Sequence, residues 1–147
     1  MAASSLHDRD FYAWTQQQIR LLKSGELVDV DFEHLIEEIE GMGAIERREL
    51  TNRLAVLMAH LLKWQFQPSF RGRSWQLTIK EQRQQLQRHL RDNPSLQAKL
   101  SEFVADAYLD AILKAAKETG LEESTFPAHC PYPETELLNP EFYPGTP

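Results

Sequence analysis

Histidines and glutamates at helical spacing are the residues of this chain that offer chemistry. His34 with Glu37 or Glu38, and His60 further along, supply imidazole and carboxylate groups of the kind that helical bundles direct inward to bind divalent metal ions; His89 is an outside candidate. Asp31 and His34 stand one helical turn apart. A ferritin-like centre, however, needs two glutamate–histidine pairs plus two further carboxylates, and the central apolar segment supplies only His60. The plainer reading pairs His34 with Glu38 on a solvated face and lets His60 cap a polar seam. A divalent metal is therefore an expectation secondary to no cofactor at all.

A second constellation combines Glu37 or Glu38 with His60, Lys63, Arg73 and Arg83. In a shared pocket the histidine would act as acid or base and the arginines would hold an anionic substrate. Nothing in the spacing fixes a nucleophile. Cys130, between His129 and Pro131, lacks the nearby positive charge that activates a thiol. A buried ion network locking helices in register accounts for the same residues more simply.

The segment Leu54 to Trp64 is nearly continuous in apolar residues, interrupted by His60 and Lys63. It belongs to a helix expected from about Ala44 to Phe66, with Leu50, Leu54, Leu57, Leu61 and Trp64 on one row and Ala55, Met58 and Leu62 on another. Glu46, Glu49, Arg53, Val56, His60 and Lys63 form the remaining stripe, a polar seam facing water or the charges of a neighbour.

Around it the periodicity predicts a helix from about Asp10 to Lys23, capped by Asp8 or Asp10 and closed at Gly25, with Phe11, Trp14, Leu21 and Leu22 buried. Another covers about Val30 to Gly41, broken or kinked at Gly41-Met-Gly43. A fourth, about Ser74 to Arg91, places Arg83 within the stripe Trp75, Ile79, Leu86 and Leu90, where it must reach water or a carboxylate, the acidic second helix being the richest supply. The fifth starts at Pro94 and ends at Gly120. From Leu121 to Pro147, six prolines and several aromatics indicate a strap with at most a short helix near Glu134 to Leu138. The expected architecture is all-α: a single domain over residues 1–147, made of an irregular bundle of about five helices (1–120) and the C-terminal strap (121–147).

At 147 residues and a formal charge of -6 the chain suits one core. One cysteine excludes an internal disulfide framework, and no apolar run is long enough to span a bilayer, nor is a signal-like leader present, so a cytoplasmic location is expected. Between Glu26 and Glu49 nine acids face only Arg47 and Arg48; between Pro68 and Asp92 the balance reverses. Residues 71–91 are the sole argument for nucleic acid, and the acidic composition and core periodicity of Trp75 weigh against it.

Several motifs then converge. Asp10-Phe-Tyr-Ala-Trp14, Leu35-Ile-Glu-Glu-Ile39 with Met42-Gly43, His60-Leu-Leu-Lys-Trp64, Arg73-Ser-Trp75 before Glu81-Gln-Arg83, and the closing Thr125-Phe-Pro, Cys130-Pro and Leu137-Leu138 span nearly the whole chain. Together they resemble the bacterial domain-of-unknown-function family twenty-nine. The resemblance implies a compact helical bacterial protein, of a kind common in cyanobacteria and found in proteobacteria, and carries over no catalytic residue. The function expected is a non-enzymatic protein-interaction domain, forming a homodimer or binding another protein. A metal protein or enzyme built around His60 is the alternative, and nucleic-acid binding comes third.

Overall fold

Helical periodicity governs the structure, a computed structural model that describes residues 5–147: among these residues there are seven α-helices and no strand. Four are long: α2 (Phe11–Ser24), α3 (Phe32–Phe66), α4 (Arg73–Asp92) and α6 (Leu100–Thr119). Three are single turns: α1 (Leu6–Arg9), α5 (Pro94–Gln97) and α7 (Glu134–Leu137). No helix of the described residues is long and apolar enough to cross a membrane.

The ends follow local chemistry. Asp10 accepts a hydrogen bond from the Ala13 amide at 3.0 Å and so caps α2. Gly25 and Gly120 close α2 and α6 at φ of 78° and 77°, a left-handed conformation that a side chain would strain. Two expected boundaries differ. Ser74 does not cap α4, which begins one residue earlier behind Gly72 without a side-chain cap. Pro94 opens only the turn α5, and a new helix starts at Leu100.

The larger departure is α3, a single helix where two were expected. Gly41 and Gly43 lie inside it and neither has positive φ. Each glycine costs about 1 kcal/mol relative to alanine in a helix interior, a penalty too small to end a helix whose apolar rows continue on both sides.

The described chain divides into two compact units, one ending at Ile45 and one running from Glu46 to Pro147. In the first, α2 and the beginning of α3 form an antiparallel hairpin around Trp14, Gln18 and Leu21. In the second, Leu50, Leu54, Leu57, Met58, Leu61 and Leu62 of α3 pack with Ile79 and Leu86 of α4 and Leu100, Ala107 and Ala111 of α6. The strap completes this core with Phe126, Tyr132 and Leu137, and residues 121–147 belong to the second unit.

Candidate functional site

In the first unit the ionisable groups gather where α1, α2 and α3 meet. His7 Nε2 lies 2.7 Å from Glu38 Oε1 and its Nδ1 lies 3.3 Å from Asp8 Oδ1. His34 Nδ1 is 2.7 Å from Asp31 Oδ2, which also accepts the Trp14 indole N–H at 2.9 Å. The Asp31 amide donates to Gln18 Oε1, fixing the entry to α3. The two imidazoles stack with centroids 4.2 Å apart and planes 12° from parallel.

Charge follows contact. The Glu38 carboxylate holds His7 above the ordinary histidine value, against a smaller opposing effect of burial. Burial works to raise Asp31, but the hydrogen bonds from His34 and Trp14 outweigh it and hold that carboxyl below its usual range. His7, Asp8 and His34 each place a ligand atom within 4.8 Å of the others. Their near-parallel stacked rings direct in-plane lone pairs side by side, however, and their carboxylate contacts are already short hydrogen bonds. This is a pair of partly exposed histidine–carboxylate dyads, suited to tying α1 and α2 to α3.

The second unit distributes its polar groups along the seam of α3. Lys63 Nζ donates to Glu118 Oε2 of α6 at 2.7 Å and lies 4.8 Å above the Trp75 ring. Lys63 is 7% exposed, so Glu118 is the charge that makes its burial tolerable, and the same contact holds the Glu118 carboxyl below its usual range. One turn earlier, His60 Nδ1 is 2.8 Å from the Val56 carbonyl, and burial lowers its pKa.

Arg83, 2% exposed, finds neither water nor a carboxylate. Its Nε donates to the Leu137 carbonyl at 2.9 Å and one terminal nitrogen to the Glu136 carbonyl at 3.3 Å. These carbonyls terminate α7, where helix geometry leaves acceptors unpaired and the dipole is negative. Arg83 therefore clamps the strap, with its other terminal nitrogen left without a partner.

The expected constellations are thus redistributed. His34 and His60 lie on one helix, where side chains meet only at spacings of three and four; His34 instead joins His7 and Asp31. Glu38 pairs with His7 rather than with His34, and Glu37 is exposed. Of the pocket proposed around His60, Lys63 turns to Glu118, Arg83 to the strap, and Arg73 is exposed. In the basic segment, Arg83 and Arg71, which donates to the Trp64 carbonyl at 2.6 Å, are committed internally. Cys130 packs against Met58 and the Tyr132 carbonyl, and burial raises its pKa.

At the N-terminal end of the α3 seam lies a group that sequence reading touched only in part. His89 of α4, 7% exposed, faces Glu46 and Glu49, the third cluster member being one turn from the second. The signal was the seam itself, which held both glutamates; the partner had to come from another helix.

Two concave surfaces accompany these clusters. A cavity of about 690 Å³ lies between α6 and the strap, lined by Val104, Tyr108, Leu109, Cys130 and Tyr132 among others. The hydroxyls of Tyr108 and Tyr132 are spent on the Pro127 carbonyl and Gln65. A groove of about 320 Å³ in the hairpin runs between Phe11, Trp14, Ile19 and Leu22 of α2 and Ile39 and Met42 of α3.

These observations define an all-α protein whose ionisable side chains sit at the seams between helices. The chain belongs to the family described as Domain of unknown function DUF29, which matches residues 6–143. No curated protein and no solved structure matches it significantly.

Proposed function

We propose that the protein acts as a non-enzymatic interaction domain and that the first occupant of its docking surface is a second copy of the same chain. One observation carries this reading. Among the described residues, eleven of the fifteen exposed large hydrophobic side chains fall between Phe11 and Ile45, in the hairpin unit. On α2 these are Phe11, Tyr12, Ile19 and Leu22; on α3 they include Phe32, Ile36, Ile39 and Met42, a stripe at helical spacing. Clustered apolar surface of this kind marks association sites in soluble proteins.

The edges of the patch support self-pairing. With 3.6 residues per turn, exposed Arg20 and Lys23 border the α2 side, and exposed Glu33, Glu37 and Glu40 border the α3 side. A two-fold axis along the hairpin sets α2 of one copy antiparallel over α3 of the other. Bases of one copy then face acids of its mate, and four helices share the apolar centre. A bacterial cytoplasm suits a chain whose single thiol has no intramolecular partner.

Sedimentation equilibrium tests the proposal: the expected mass is that of two 17.1 kDa chains, falling to one in Ile39→Glu or Ile36→Glu. A wild-type chain that remains monomeric at high micromolar concentration overturns self-association. A dimer that survives both substitutions overturns the hairpin as its interface.

A further inference from the structure

We propose that Glu46, Glu49 and His89 form a binding site for a divalent transition-metal ion, with Zn²⁺ as the natural probe. His89 Nε2 lies 2.9 Å from the Glu46 backbone carbonyl, an acceptor, so this nitrogen carries hydrogen and the ring orientation is fixed. Nδ1 is thereby aimed at Glu46 Oε2, 3.5 Å away, and Glu49 Oε2, 3.7 Å away, and has no hydrogen-bond partner among the described residues.

Those separations discriminate between two occupants. A proton shared between imidazolium and carboxylate draws nitrogen and oxygen to roughly 2.7–2.9 Å. Ligands around a tetrahedral ion with bonds of roughly 2.0–2.2 Å stand roughly 3.3–3.6 Å apart. The 3.5 Å separation from Glu46 falls in the second pattern and the 3.7 Å separation from Glu49 lies just beyond it, both well outside the first, and the three ligand atoms all lie within 4.8 Å of one another. In the first unit His7 with Glu38 and His34 with Asp31 stand at 2.7 Å, the proton pattern, and only the exposed Asp8 stands farther from His7, at 3.3 Å.

The surroundings complete the site. The Nε2–H bond to a carbonyl is the outer contact by which metal-binding histidines are oriented. Arg53 takes Glu49 Oε1 through Nε and a terminal nitrogen, both at 3.1 Å, leaving Oε2 for the ion. Two carboxylates and Arg53 leave one net negative charge, which a divalent cation reverses rather than compounds. The Glu46 and Glu49 side chains are 46% and 39% exposed while that of His89 is 7% exposed, so the ion enters from the carboxylate side and keeps water there. One nitrogen and two oxygens suit Zn²⁺, Fe²⁺ or Mn²⁺ better than the all-oxygen shells of Ca²⁺ or Mg²⁺.

Titration calorimetry of the full untagged chain with Zn²⁺ provides the test. The expected result is one ion per chain, removed by EDTA, with affinity lowered about tenfold or more in Glu46→Gln and in Glu49→Gln and unchanged in His7→Ala. The glutamine variants alter partly exposed positions and spare the buried ring, and their folding is checked by circular dichroism. Absence of saturable binding overturns the proposal. So does binding that both glutamine variants leave intact, binding lost in His7→Ala, or one ion per two chains.

Discussion

The two units place the same residue types in opposite ways. The hairpin unit turns its aliphatic and aromatic side chains outward and closes its histidines with short hydrogen bonds to carboxylates. The second unit buries most of its large apolar residues and leaves His89 Nδ1 and one nitrogen each of Arg71 and Arg83 without hydrogen-bond partners. Apolar surface left outside calls for a macromolecular partner, whereas a nitrogen left open calls for an ion or for a structural cost accepted elsewhere. The contrast separates the docking face from the chemistry.

The sharpest way to break this comparison is to truncate matched aliphatics. Leu57→Ala, in the sealed core, is expected to cost about 3 kcal/mol of unfolding free energy. Ile36→Ala, 54% exposed, should cost under about 0.5 kcal/mol in dilute protein, while abolishing any dependence of melting temperature on protein concentration. Urea unfolding at two concentrations checks both; equal costs would mean that the hairpin face is already buried.

A somewhat smaller effect is expected at the clamp. Arg83→Met removes two hydrogen bonds from the α7 carbonyls while retaining bulk, for a loss of about 2 kcal/mol, with enhanced proteolysis of the strap as its local signature. An unchanged melting temperature would mean that the unpartnered guanidinium nitrogen offsets everything the other two contribute. Smaller again is Trp14→Phe in the hairpin, which forfeits the indole bond to Asp31 and should cost about 1 kcal/mol, read as faster amide exchange near the start of α3.

Acidity sharpens the comparison last, because the units should respond with opposite sign. His7 has its pKa raised in the folded state, so the stability it contributes is present below about 6.5 and is lost as pH rises through the raised value. His60 has its pKa lowered by burial, so its contribution is present above about 6.5 and is lost as pH falls toward the lowered value. Histidine C–H resonances followed by NMR should titrate on opposite sides of the free imidazole value. Two curves on the same side would contradict the contacts at one of them.

Much of this molecule was legible in its residues. Asp10, Gly25 and Gly120 act where capping chemistry places them, the strap turn forms at Glu134–Leu137, and Arg83 lies in a buried stripe, because each depends on neighbours within a few positions. The break expected at Gly41-Met-Gly43 failed for a quantitative reason: two glycine penalties are small beside the continued burial and hydrogen bonding of a 35-residue helix. With that break gone, His34 and His60 lost any means of meeting.

The all-α class, the family, the caps at Asp10, Gly25 and Gly120 and the polar seam of α3 are written in the residues, since periodicity and local hydrogen bonding are properties of short segments. Only tertiary structure decided what faces the seam: Glu118 for Lys63, the α7 carbonyls for Arg83, His89 for Glu46 and Glu49. Those choices depend on which buried nitrogen and which oxygen come within reach across helices. An amphipathic pattern states that a face will be covered and leaves open by which side chain.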